Sequence, residues 1–96
     1  MAAGDAYIKL PASVADTAHM DLTAGASAEI VVHNIYVPEG TAVELYYYDG
    51  TDTIKHLTTY TSLYNVQFHC TNTEYIRVKN VSGAAAIMAA DGMFTK

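Results

Sequence analysis

Four histidines, His19, His33, His56 and His69, are the side chains of this 96-residue protein best suited to bind a metal ion. Zinc needs three or four converging ligands, usually with one pair close together in the sequence. These histidines are spread singly over four predicted strands, although His19 and His69 share the polar phase of their strands. The spacing favours solvent-facing or interface histidines over a metal site, and we expect no cofactor.

Nucleophilic catalysis finds little support either. Ser62 and Ser82 have ordinary strand or turn surroundings, and no Gly-x-Ser-x-Gly elbow is present. Cys70 and His69 are adjacent, so on a strand they point to opposite faces and cannot act as a nucleophile–base pair. The segment 49–52 has oxygen ligands like those of a calcium loop, but the terminal Glu is absent. We therefore expect that the chain is not an enzyme.

Tyrosine is the unusual residue type, since the chain has eight Tyr, two Phe and no Trp. Tyr47 and Tyr64 fall on the predicted core phase, whereas other tyrosines fall on the polar phase. Tyrosines there either pack across strands, form a protein contact surface, or line a sugar site. The residues that we predict to be covered by protein neighbours are Tyr7, Ile8, Tyr36, Tyr46, Tyr48 and Tyr75.

Apolar and polar residues alternate along much of the chain, which is typical of strands with one buried face. The segments with this period of two are 18–23, 43–47, 64–70 and 75–79. In the third of these, Tyr64, Val66, Phe68 and Cys70 are predicted to point inward. The segment 28–37 is more continuously apolar, which predicts a central strand covered on both faces.

Turn signals separate these runs. Asp49-Gly50 predicts a tight type I′ hairpin. Ala84–Ala90 has high helix propensity but is too short to form a stable helix alone, so we predict a closely packed strand. Strands that recur at roughly 8–12 residues are typical of a sandwich or barrel. The pattern predicts an all-β domain of about eight antiparallel strands, covering residues 11–96, after an N-terminal arm at residues 1–10.

Composition excludes several classes of partner. Five Lys and Arg stand against ten Asp and Glu, a net charge of −5, so the chain is poorly equipped to neutralise nucleic-acid phosphates. No apolar run approaches the ~20 residues that span a bilayer, and residues 1–25 lack the pattern of a secretory signal. The single cysteine excludes an internal disulfide.

Three segments carry a family resemblance. They are Ile30–Val37 (IVVHNIYV), Val43–Thr51 (VELYYYDGT) and Phe68–Gly83 (FHCTNTEYIRVKNVSG), and the chain closes with Asp91-Gly92 and Thr95-Lys96. Through these segments the stretch from Glu29 to Lys96 resembles small virion proteins of tailed bacteriophages, especially head decoration proteins, which are also called capsid cement proteins. These motifs are strand and turn patterns, and the first 28 residues are not covered.

The resemblance implies a jelly-roll-like β-sandwich on the outer surface of the capsid, with the major capsid protein as its partner and no catalytic or metal residues. We expect a homo-oligomer, a trimer first and a dimer next, that is made in the host cytoplasm and binds across seams between capsid subunits. The alternatives are a phage tail or fibre structural protein and a small glycan-binding β-sandwich module.

Overall fold

A computed structural model describes residues 3–96, which form eight β-strands. The strands are β1 (Ala6–Val14), β2 (His19–Leu22), β3 (Ile30–Tyr36), β4 (Val43–Tyr48), β5 (Thr53–Thr59), β6 (Phe68–Cys70), β7 (Tyr75–Asn80) and β8 (Ala86–Phe94). Over this part of the chain no helix is formed, and hence none that could cross a membrane. The all-β prediction is confirmed, and the segment 84–90, which has high helix propensity, lies mostly in strand β8.

The strands form two four-stranded antiparallel sheets. The first sheet has the order β1-β8-β3-β6 and the second has the order β2-β7-β4-β5. The first strand pairs with the eighth, the second with the seventh, the third with the sixth and the fourth with the fifth. The chain therefore folds as a long, nested hairpin whose successive strands mostly alternate between the two sheets.

One hydrophobic core is shared by the two sheets, as in a β-sandwich. Its fully buried side chains come from alternate positions of both sheets, so the period of two in the sequence is the period of burial. The largest of them are Leu22, Ile30, Val32, Ile35, Val43, Leu45, Val78 and Met88. The inward phases predicted for β2 and β7 are confirmed, and Cys70 is a buried core residue, as predicted.

The prediction for residues 64–70 is wrong at its first half. Only Phe68–Cys70 pairs with β3, while Asn65 has a left-handed backbone with φ 58° that turns the chain. Tyr64 is consequently exposed and packs edge-on against Tyr36 at 6.1 Å between ring centroids. The preceding loop is instead fastened to the end of β3, where Ser62 Oγ accepts from the Val37 amide and donates to the Val37 carbonyl.

The hairpin between β4 and β5 also differs from the prediction. Its loop is four residues long, and Gly50 rather than both central residues has positive φ. Asp49 shapes the loop, since its Oδ1 accepts hydrogen bonds from the backbone amides of Thr51 and Asp52 at 2.9 and 2.7 Å. Tyr47, which was predicted to be buried, lies at the end of β4 next to this loop and is partly exposed.

The predicted N-terminal arm, as far as it is described, is part of the first sheet. Ala6–Lys9 pair with β8, and the predicted boundary after residue 10 falls inside β1; Met1 and Ala2 lie outside the described residues. Tyr7 packs edge-on against Phe94 at 5.8 Å and is 7% exposed. This burial, with a smaller contribution from the Cys70 thiol, raises the pKa of Tyr7 to about 12. The outer edge of β1 is an open sheet edge.

Asn80 is a fully buried polar side chain at the end of β7. Its Nδ2 donates to the carbonyls of Val14 and Ala84 at 2.9 and 2.7 Å, and its Oδ1 accepts from the amide and hydroxyl of Ser82 at 3.0 and 2.7 Å. All four hydrogen-bonding positions of the amide are therefore satisfied. These hydrogen bonds connect the end of β1 to the turn that precedes β8.

Candidate functional site

The six predicted contact residues do not form one surface. Tyr7 is buried inside the chain's own core and is unavailable to a partner. Ile8 and Tyr36 lie on the outer face of the first sheet. The tyrosines Tyr46, Tyr48 and Tyr75 lie on the outer face of the second sheet, where β4 and β7 pair directly. The sandwich thus has two separate candidate surfaces, one on each side.

The outer face of the first sheet exposes large apolar side chains. Ile8 and Ile87 are each 62% exposed, Met93 and Tyr36 are partly exposed, and Leu10 in the adjoining β-bulge is 72% exposed. The register places them on the same side of the sheet, because residues that pair across an antiparallel ladder point to the same side. We call these five side chains the apolar face. Five large apolar side chains exposed on one side of a sheet make this face a candidate interaction site.

A single carboxylate stands inside the apolar face. Asp91 Oδ1 accepts a hydrogen bond from Asn34 Nδ2 at 2.8 Å, and Asp91 Oδ2 accepts one from the Tyr36 hydroxyl at 2.6 Å. The hydrogen bond to Asp91 raises the pKa of Tyr36 above its ordinary value, so this hydroxyl remains a donor. Each oxygen of the Asp91 carboxylate therefore already accepts one hydrogen bond from a neutral donor. A partner that covers this face would not leave either oxygen without a hydrogen bond.

The outer face of the second sheet is charged and aromatic, and we call it the polar face. Its side chains, in strand order, are His19, Asp21, Glu44, Tyr46, Tyr48, Lys55, Tyr75, Arg77 and Lys79. It holds three of the chain's five Lys and Arg but two of its ten Asp and Glu. In a protein of net charge −5, this face is therefore locally positive.

Arg77 is fixed at the centre of the polar face. Its guanidinium carbon lies 4.2 Å from the centre of the Tyr48 ring and 5.6 Å from that of Tyr75, a cation–π arrangement. Its Nη2 donates to the Tyr75 hydroxyl at 3.3 Å. Its Nε lies 3.4 Å from Asp21 Oδ1 but makes no hydrogen bond with any described residue. The two rings, the Tyr75 hydroxyl and Asp21 together hold the guanidinium in place.

Glu44 is occupied by its neighbours on the same face. Lys55 Nζ donates to Glu44 Oε2 at 2.8 Å, and the Tyr46 hydroxyl donates to Glu44 Oε1. These two hydrogen bonds lower the pKa of Glu44, and the same contacts raise the pKa values of Lys55 and Tyr46. The side chain of Lys79, which lies opposite Glu44 across the β4–β7 ladder, makes no close ion pair or hydrogen bond among residues 3–96, although its charge also helps to lower the pKa of Glu44.

A groove of about 250 Å³ crosses the polar face. Its lining residues are Thr17, His19, Tyr46, Thr53, Arg77 and Lys79. Two further grooves, of about 310 and 420 Å³, border the loop between β5 and β6, and amide, hydroxyl and apolar groups line most of their walls. The groove on the polar face is the one that brings several cations together.

The histidines do not converge. His19 belongs to the second sheet, and its Nδ1 lies 2.8 Å from Asp21 Oδ1. His69 belongs to the first sheet, and its Nε2 lies 3.0 Å from Glu29 Oε1, so the meeting of these two across one sheet is excluded. Within residues 3–96, no three side chains of His, Cys, Asp or Glu gather as a metal site would require.

The sequence did not identify several of these surface residues. Leu10, Ile87 and Met93 belong to runs without clear alternation, so their outward direction depends on the pairing of β1 with β8. Arg77 and Lys79 were placed on a polar phase, but the groove depends on β7 lying beside both β2 and β4. No protein-family model matches the chain, and no curated protein matches its sequence significantly.

Proposed function

We propose that this chain is a virion structural protein that decorates the outer surface of a tailed-bacteriophage capsid and stabilises contacts between major capsid protein subunits. The observation that carries the proposal is the apolar face, in which the side chains of Ile8 and Ile87 are each 62% exposed although their backbones are paired within the sheet. Covering an Ile, Leu or Met side chain contributes about 1.5–3 kcal/mol. Such a face is suited to a permanent protein contact.

The proposed fold is a jelly roll. The nested pairing of the first strand with the eighth, and so on to the fourth with the fifth, supports it. Two sheets in the orders β1-β8-β3-β6 and β2-β7-β4-β5 are what a hairpin wrapped around a sandwich produces. Jelly rolls are common among viral capsid domains, so the architecture agrees with the proposed role without establishing it.

The proposed mechanism is multivalent attachment. A homo-oligomer, with a trimer preferred to a dimer, engages several capsid subunits at once, so each further contact is intramolecular and avidity rises. Backbone pairing with another chain would use the open outer edge of β1, because the inner edge is already paired with β8. The proposal assigns no catalytic role and no cofactor to the chain.

Capsids assembled without this protein provide the test. Added protein is expected to bind them and to raise the temperature at which they rupture. Ile87→Asp should abolish both effects, because it places a charge in the apolar face. Ile54→Asp is the matched control, since Ile54 is 56% exposed but lies on β5 of the other sheet. Circular dichroism establishes that both variants fold.

Three outcomes would overturn the proposal. Capsids that survive heating equally well with and without the protein would exclude a cement role. Equal binding by the two Asp variants would exclude the apolar face as the contact surface. If labelled protein is confined to a single vertex, the protein is a tail component instead.

A further inference from the structure

We propose that the groove on the polar face binds the carboxylate and ring of an acidic monosaccharide, of the uronic acid or sialic acid class. The groove lies on the side of the sandwich opposite the apolar face, so a copy attached through the apolar face leaves it open. The inference goes beyond the proposed function, and either can fail without the other.

The charges of the groove select an anion of low charge. Arg77, Lys79 and His19 line it, and Lys79 has no ion pair within residues 3–96. Asp21 lies against Arg77 and His19, while Glu44 is bound to Lys55 and Tyr46 and lies opposite Lys79 across the ladder. A single carboxylate could therefore approach the Lys79 ammonium group, which forms no close ion pair among residues 3–96 although Glu44 acts on it at longer range. A polyanion such as nucleic acid would meet the repulsion of the remaining surface, because the net charge is −5.

Arg77 is prepared for such a ligand. Stacking against Tyr48 at 4.2 Å and the hydrogen bond to the Tyr75 hydroxyl at 3.3 Å fix its plane before anything binds. A pre-positioned guanidinium loses little side-chain entropy on binding, and its fork matches a carboxylate. Fixed donors of this kind are what confer specificity on a small binding site.

The remaining lining suits a sugar ring. Tyr46 offers an aromatic surface for C–H groups, and the hydroxyls of Thr17 and Thr53 can exchange hydrogen bonds with sugar hydroxyls. The volume of about 250 Å³ accommodates one monosaccharide unit. Thr17 also has a φ of 68°, which is an outlier for a β-branched residue, and such strain tends to be found at functional sites.

Backbone NMR of the full chain tests the inference. Sodium glucuronate, sodium acetate, glucose and a triglutamate peptide are titrated at constant ionic strength while the amide resonances of β2, β4 and β7 are followed. Glucuronate should give saturable shifts at these strands. Acetate lacks the ring and glucose lacks the charge, so each should bind at least about tenfold more weakly.

Lys79→Gln supplies the site-specific control. It should weaken glucuronate binding about tenfold, since one charge-assisted hydrogen bond is lost. Lys96→Gln makes the same change of charge outside the groove, at a lysine that lies 3.5 Å from Glu29, and it should leave the affinity unchanged. Circular dichroism confirms that both variants fold.

Four results would overturn the inference. The first is that the amide resonances show no saturable shift with glucuronate. The second is that acetate or glucose binds as tightly as glucuronate, and the third is that the two Gln variants lose affinity equally. Tighter binding of the triglutamate peptide would assign the groove to an acidic protein segment instead of a sugar.

Discussion

Gly92 is the residue at which the sandwich leaves no room for a side chain. A Cβ atom built there would lie 2.0 Å from the Val31 carbonyl oxygen and 2.9 Å from the Val32 Cα, where the β3–β8 ladder has its bulge. These are backbone atoms, so no side-chain rotation can relieve the overlap.

We expect Gly92→Ala to lower the free energy of unfolding by roughly 1–3 kcal/mol in urea denaturation. Gly25→Ala is the matched control, because a Cβ at Gly25 meets nothing within 4 Å. It should change the free energy of unfolding by less than about 0.5 kcal/mol. Equal stability of the two variants would mean that the close approach at the bulge is absent.

Asp49 makes the stability of the β4–β5 loop depend on pH. Hydrogen bonds from the backbone amides of Asp52 and Thr51 lower the pKa of its carboxyl below the ordinary value of 3.8. A lowered pKa in the folded state stabilises the protein above the pKa of the unfolded chain. That contribution is lost as the pH falls through the folded-state pKa.

Asp49→Asn keeps the acceptor oxygen but removes the titration. The wild type is therefore expected to lose stability relative to this variant as the pH falls from about 5 to about 2. Urea denaturation of both proteins at a series of pH values measures the difference. A difference that stays constant over this range would contradict the role of the ionised carboxylate.

Strand β1 carries a structural residue and a candidate contact residue side by side. Tyr7 points into the core against Phe94, and Ile8 points out of the apolar face. Tyr7→Ala should lower the free energy of unfolding by roughly 3–5 kcal/mol, because a large buried ring is lost. Ile8→Ala should change it by less than about 0.5 kcal/mol but weaken capsid binding.

Urea denaturation and capsid sedimentation separate these two roles. If Tyr7→Ala is as stable as Ile8→Ala, the first strand is a free arm instead of a member of the sheet. If Ile8→Ala binds capsids as well as the wild type, the outer side of β1 is not part of the contact.

The alternation of apolar and polar residues correctly predicted the strands that are paired along their whole length. Segments 18–23 and 75–79 became β2 and β7 with the expected faces, because both lie against neighbours along their full length. The alternation at 64–70 was as clear, but β3 has its bulge between Val32 and Asn34 and pairs with β6 only over Ile30–Val32. Local pattern carries no information about where a distant partner strand bends.

The candidate surfaces were less predictable than the fold. Tyr48 and Tyr75 were placed on the polar phase, where they lie, yet their stacking on Arg77 depends on the β4–β7 register. Of the apolar face, Ile8 and Tyr36 were among the predicted contact residues, but Leu10, Ile87 and Met93 were not. Ile87 and Met93 lie in a run of alanine, methionine and glycine in which both phases look equally apolar.

At the scale of the whole molecule, the two outer faces differ in the forces that they can exert. The polar face carries Lys55, Arg77 and Lys79, whose attractions are screened by salt, whereas the charged group within the apolar face is Asp91 with two neutral donors. Attachment through apolar contacts does not depend on electrostatic attraction between the protein and its partner. If the protein attaches in this way, as we propose, its net charge of −5 would keep free copies apart in solution.

This asymmetry predicts the thermodynamic signature of attachment. Capsid binding through the apolar face buries apolar surface, so it should have a negative heat-capacity change and lose less than about tenfold in affinity between roughly 0.05 and 0.5 M NaCl. Calorimetric titration of empty capsids at several temperatures and at both salt concentrations measures the two quantities. Attachment through the polar face would instead be strongly weakened by salt and show little change in heat capacity. That result would reverse the orientation of the protein on the shell, because the charged groups of β4 and β7 would then face the capsid.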